Sequence, residues 1–188
     1  LIYMKTENMT IDPVILMSRA KAGDNEAFAL LYESYFTPIY RYILIRVKNV
    51  PIAEDLTQAV FLKVLEKISA YENKQRPPLA YFFTVARNKV IDFWRRRRDV
   101  SLSETEDWLN IAAESWEADK ELAPWETKQL INNALDILSS DQRDAVILRY
   151  LNELTFAEIA AAMGKREEAI RQLVSRGIKN LRSYFANK

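Results

Sequence analysis

The chain has 188 residues, 49% of them apolar, and 27 Lys/Arg against 26 Asp/Glu give a net charge of +1. That length holds one domain or two small ones, and the apolar share is ample for packed cores, which excludes wholesale disorder. The absence of Cys and His excludes disulfides, thiol nucleophiles, imidazole bases and the usual zinc ligand sets. The three glycines form no phosphate-cradling loop, so an enzyme is the minority reading and no cofactor is expected. The start, LIYMKTENM, lacks an initial Met, which makes Met4 or Met9 a candidate start, and it carries no secretory signal pattern. The longest apolar runs, such as AVIL at 145–148, fall far short of a membrane span, so no membrane insertion is expected.

In chain order, IDPVILMSRAKAG offers Asp12 as N-cap, Pro13 in the first turn and Gly23 as the stop. A longer helix is predicted from about Asn25 to Lys48, with Phe28, Leu31, Tyr32 and Tyr35 at helical spacing and a break or kink at Pro38. Pro51 opens the next helix, where Ala53, Leu56, Val60, Phe61, Val64, Leu65 and Ile68 form one apolar stripe. YENKQRPP reads as a loop ended by Pro77 and Pro78, and AYFFTVARNKVIDFWRRRR (80–98) then runs as a helix. Residues 99–127 have weak periodicity and read as a linker with room for one short helix. Pro124 starts a new helical series. Ser140 is a candidate cap for DQRDAVILRYL, Thr155 with Glu158 matches a capping box, that helix stops at Gly164, and a last helix covers about Glu167 to Phe185. No convincing alternating strand is present. The predicted fold is all-α, in two small bundles.

Charge is segregated along this order. Residues 1–98 carry +6, residues 99–127 carry −8 and residues 128–188 carry +3. Two basic modules joined by an acidic strap suit a polyanionic partner met by the modules and not by the strap. The boundaries are therefore 10–98, 99–127 and 128–188.

LTFAEIAAAMGKREEAIRQLVSRGIKNLR has the layout of a helix-turn-helix. Phe156, Ile159, Ala160 and Met163 face inward from its first helix, and Ile170, Leu173, Val174, Ile178 and Leu181 from its second. The small run AAA permits a close crossing, and Gly177 inside the second helix implies tight packing there. Arg171, Gln172, Ser175, Arg176 and Lys179 then face outward, with Lys165 and Arg166 just before them. Amide and guanidinium groups suit base edges in a major groove, and the flanking cations suit phosphates. An ordinary helical hairpin with a solvated basic face is the plain alternative.

In the 80–98 helix, Phe82, Val85, Ala86, Val90 and Phe93 can line a buried stripe, while Tyr81, Thr84, Asn88, Asp92 and Arg95 recur on another face. FALLYESYFTPIYRYILIRV, AEDLTQAVFLKVLEKI and PLAYFFTVARNKVIDFWRRRR resemble region 2 of bacterial sigma factors. LSSDQRDAVILRYLNELTFAEIAAAMGKREEAIRQLVSRGIKNLR resembles their region 4. Two such modules and little else resemble the extracytoplasmic-function class, over about Glu26 to Tyr184. Two positions depart from the family pattern: Tyr81-Phe82 stands where Trp-Leu is common, and Glu167-Glu168 where small or hydroxyl residues are common.

The resemblance implies a cytoplasmic, non-enzymatic promoter-specificity subunit that partners core RNA polymerase, promoter DNA and an anti-sigma factor. It implies polymerase docking by Asp55, Gln58, Phe61, Leu62 and Lys63, although plain core is the preferred reading for most of Leu56, Phe61 and Leu65, and Asp55, Gln58 and Lys63 are the better exposed contacts. It implies minus-ten reading and melting by Tyr81, Thr84, Arg87, Asn88, Lys89, Asp92, Arg95 and Arg96. It implies minus-thirty-five reading by Lys165, Arg166, Arg171, Gln172, Ser175, Arg176 and Lys179. Unstacking a base costs a few kcal/mol, and stacking or hydrogen bonding returns about 1–3 kcal/mol per base. Asn88 is the best direct reader, because its amide both donates and accepts. In the acidic strap, Trp108, Trp116 and Trp125 admit either a nucleic-acid mimic in a polymerase channel or a solubilising tether. Two competitors stand beside this reading. One is a stand-alone helix-turn-helix regulator with an N-terminal sensing bundle. The other is a carboxylate enzyme using Glu54-Asp55, which adjacent positions on a helix disfavour.

Overall fold

The computed structural model describes residues 11–72, 76–100 and 125–186. The described residues form α-helices and one 3-10 turn, without strands. The strap at 101–124, with Trp108 and Trp116, lies outside them.

Helix α1 (Pro13–Lys21) begins where the Asp12 carboxylate accepts from the Val14 amide at 2.9 Å, and the chain leaves it through Gly23 at φ 93°. Asp24 caps α2 (Asn25–Val47) by accepting from the Ala27 amide, and Arg19 holds Asp24 in place at 2.8 Å. Contrary to the expected break, α2 runs unbroken through Pro38. A mid-helix Pro costs about 3 kcal/mol; burial of Tyr35, Ile39, Tyr42 and Ile43 around it supplies the offset. Lys48 ends α2 in the left-handed region at φ 55°.

Helix α3 (Val50–Lys67) starts one residue before Pro51, with Asn49 accepting from the Ile52 amide at 3.0 Å. A 3-10 turn (Ile68–Ala70) follows, then α4 (Pro78–Val100). Phe82, Phe83, Ala86 and Val90 bury one side of α4, with Val85 and Phe93 packed at its margin. Phe83 was missing from the expected stripe. Its ring meets Tyr42 edge-on at 5.6 Å, and Phe82 meets Tyr35 at 5.1 Å.

The second bundle comprises α5 (Trp125–Asp136), α6 (Ser140–Tyr150), α7 (Phe156–Met163) and α8 (Glu167–Ala186). Ser139, not Ser140, caps α6, in a capping box with Gln142. The Thr155–Glu158 capping box is present: Thr155 N–H donates to Glu158 at 2.8 Å and Glu158 N–H to Thr155 Oγ1 at 3.2 Å. Gly164 makes the turn between α7 and α8 at φ 64°, a conformation that glycine adopts without penalty.

The bundles are not held apart. Helix α4 packs along α7, and buried residues of both modules belong to one continuous core. The two predicted modules therefore share an apolar seam as well as a covalent strap.

Candidate nucleic-acid interface

Helix α4 sorts the predicted minus-ten residues onto two sides. Asn88, Arg95 and Arg96 are exposed, while Tyr81, Thr84, Lys89 and Asp92 are half-buried. Tyr81 packs against Tyr71 at 5.2 Å, and the Tyr71 hydroxyl donates to the Arg76 carbonyl at 2.7 Å. Thr84 returns its hydroxyl to the Ala80 carbonyl. Burial pushes the Tyr71 hydroxyl up to about 12 and raises Tyr81 too, so both stay neutral donors. Asp92 pairs with Arg95 at 2.8 Å, one turn along the same face. Trp94 anchors the helix by donating to the Arg46 carbonyl at 3.2 Å, and Arg97 lies 5.4 Å from the Phe93 ring centre.

Arg87 points elsewhere. Its Nη2 donates to Asp141 at 2.7 Å and its Nε to Asp144 at 3.0 Å, both on α6. Burial alone lowers its pKa, but the two carboxylates outweigh that and hold it raised. Asp144 is fully buried, and it also accepts from the Tyr42 hydroxyl at 3.0 Å and lies 2.9 Å from Arg46 Nε. Burial, with Asp144 close by, raises the Tyr42 hydroxyl well above its ordinary value. Asp141 additionally pairs with Lys165 at 3.1 Å. Burial raises its pKa, but Lys165 and Arg87 together overcome this and depress it. One residue predicted for each promoter element thus meets the same carboxylate.

The outer face of α8 presents Arg171, Gln172, Ser175, Arg176 and Lys179, all exposed, with Lys165 and Arg166 exposed at its approach. This is the arrangement read from the sequence. Glu167 ion-pairs with Arg171 one turn later, and Arg171 also lies over the Phe156 ring at 4.4 Å. The acid that looks hostile to phosphate thus helps to hold a guanidinium, which a cation–π contact steadies further. Arg149 flanks the same ring at 5.1 Å while donating to the Leu154 carbonyl.

On α3, Asp55, Gln58 and Leu62 are exposed, and Lys63 is half-buried and pairs with Glu66 at 3.0 Å. Phe61 takes the plain-core reading rather than that of a direct contact: it is 3% exposed, in tilted ring contacts with Tyr32 and Phe82, and supports this surface from beneath. Leu65 is a correction, 45% exposed where core was expected. Leu56 is partly buried against the core.

The cluster of Tyr42, Arg46, Asp141 and Asp144 went unread in the sequence, because its members lie far apart along the chain. Its one sequence signal is Asp144, an acid beside AVIL in an otherwise core-forming helix.

Residues 31–100 match the family model Sigma-70 region 2, and residues 134–183 match Sigma-70, region 4. The ECF RNA polymerase sigma factor BldN of Streptomyces coelicolor is 36% identical over 169 residues, which are 88% of this chain and 63% of BldN. The chain thus spans slightly less than two thirds of that relative. The ECF RNA polymerase sigma factor SigD of Mycobacterium bovis is 30% identical over 188 residues, covering 95% of this chain and 85% of SigD. The solved complex of the sigma factor RpoE with the anti-sigma factor NepR from Bartonella quintana matches with a TM-score of 0.66 at 23% identity, over 85% of this chain and 96% of that one. That last likeness is one of fold.

Proposed function

The chain belongs to the ECF class of RNA polymerase sigma factors, and from that premise we propose that it is a promoter-specificity subunit acting on core RNA polymerase. It docks through the α3 surface of Asp55, Gln58, Leu62 and Lys63, with Leu65 added to that set. It reads the minus-ten element with the Tyr81, Thr84, Asn88 and Arg95 face of α4, helped by Lys89, Asp92 and Arg96. It reads the minus-thirty-five element with the outer face of α8. The relatives are sigma factors rather than enzymes, and bond-making belongs to the polymerase. No helix among the described residues is long and apolar enough to cross a membrane, and the proposed workplace is the cytoplasm, where the polymerase and its template are. An anti-sigma factor, the kind of partner named for the RpoE neighbour, is proposed to cover the α3 surface.

The observation that carries this reading is the two sigma-70 matches in order, each on a module with an exposed face of suitable chemistry. The exposed cations contribute sequence-independent affinity that weakens with salt. The exposed amides contribute the discrimination. A stand-alone regulator would bind duplex DNA without polymerase. Size-exclusion chromatography with core polymerase separates the two readings. Co-elution as a stable complex is expected, and a chain that stays free while binding duplex DNA by itself contradicts the proposal.

A further inference from the structure

We infer that Phe156 and Glu167 are positioning residues for minus-thirty-five reading, which together preset the Arg171 guanidinium as the reader of one guanine. The ring comes from α7 and the carboxylate from the first turn of α8, so two elements converge on one cation. The capping box of Thr155 with Glu158 fixes the start of α7 and with it Phe156, which packs half-buried against the core. Arg149 of α6 lies 5.1 Å from the ring centre while donating to the Leu154 carbonyl, and so brings a second cation to that ring. Arg171 lies 4.4 Å from the same centre, and its Nη2 donates to Glu167 one turn before it.

The arrangement suits base reading better than phosphate holding. A long side chain on a helix surface samples several rotamers, and ordering it on binding costs affinity. The ring and the carboxylate order Arg171 before DNA arrives, while leaving the residue exposed. Arg171 is the fifth residue of α8, and the N-terminal part of a recognition helix is what meets base edges. The guanidinium has five donors in a planar fork, and Glu167 accepts at Nη2. Nε and Nη1 carry further donors, and two donors side by side fit the O6 and N7 acceptors of guanine. Glu167 also offsets the charge that would draw Arg171 to phosphate, and it repels phosphate itself. A purely electrostatic interface would gain by losing that acid. Here its loss loosens the choice of base.

This inference rests on the promoter reading above. Its test gives the full chain, assembled with core polymerase, a promoter library randomised across the minus-thirty-five element with the minus-ten element fixed. Transcripts are counted for each sequence. Arg171→Ala is expected to flatten preference at a single guanine position by about tenfold. Phe156→Leu keeps apolar bulk but loses the π face, and is expected to lower that same preference about 2–5-fold. Glu167→Gln is expected to lower it about twofold. The Phe156→Leu, Glu167→Gln double variant should approach the Arg171→Ala profile, and neither change should add to Arg171→Ala, because all three act through one group. Phe156→Tyr keeps the ring and is expected to keep the wild-type preference. Flattening spread evenly over the element, as a merely loosened module would give, overturns the inference, and so does an unchanged profile in folded variants. If Phe156→Leu does not fold, the Glu167→Gln arm decides alone. A wild-type assembly without base preference anywhere in the element contradicts the promoter reading itself, and the inference falls with it.

Discussion

Neighbouring residues on α4 have different assignments because a helix turns about 100° per residue. Arg87 is drawn into the carboxylates of α6, whereas Asn88 is exposed. An Asn88→Ala chain should therefore fold and bind polymerase normally while losing preference at one upstream base, worth about 1–3 kcal/mol of discrimination. Start-site selection from a promoter randomised at that element measures it, and an unchanged preference would refute the assignment. The exposed position of Asn88 was legible in the sequence because helical spacing alone puts it on a polar face with Thr84 and Tyr81. The role of Arg87 was not, because a run of cations near aromatic rings says nothing about a carboxylate 57 positions away. Phe61 shows the same limit in an apolar stripe. Spacing says which residues share a side of α3, but only the packing of Tyr32 and Phe82 decides that Phe61 is covered and Leu62 is not.

Local rules serve well where an element is governed by its own ends. Asp12, the Thr155–Glu158 box and Gly164 are short-range signals, and each appears where the residue types placed it. Ser139 displaced Ser140 because only Ser139 has Gln142 at the third position, which completes the reciprocal pair. Pro38 defeated a local rule because tertiary burial outweighs one lost helical bond. The sharpest element-level expectation concerns the crossing of α8 over α6. A methyl group at Gly177 would lie 2.8 Å from Val146 Cγ2, and a β-branched side chain has little freedom to retreat. Gly177→Ala gains about 1 kcal/mol of helix propensity but incurs about 1–3 kcal/mol of overpacking. Denaturant unfolding should show a net loss of stability. A stabilised variant would mean that the two helices are less closely packed than described.

At the scale of the whole molecule, electrostatics set the pH response. Asp141 is depressed below its ordinary value of 3.8, so its contribution is fully present above that value and is lost as pH falls through the lower folded value. Tyr71 is raised from 10.0 to about 12, so its contribution is present below 10.0 and is lost as pH rises through the folded value. With no His or Cys, no side chain of ordinary pKa has its midpoint between about pH 5 and 9. Thermal melts should be flat across that range and fall on both sides; a transition near neutrality would contradict this. The all-α, two-module plan was legible from periodicity and charge blocks. The closure of one module on the other was not, since it depends on pairings such as Tyr42 with Asp144, 102 positions apart. All of this serves one central claim, that the chain directs polymerase to chosen start sites. Run-off transcription with core polymerase on a genomic library, followed by sequencing of transcript 5′ ends, tests it most directly. The account predicts a discrete set of starts that share two upstream elements and vanish when the chain is omitted. Starts that are absent, or the same with and without the chain, would contradict it.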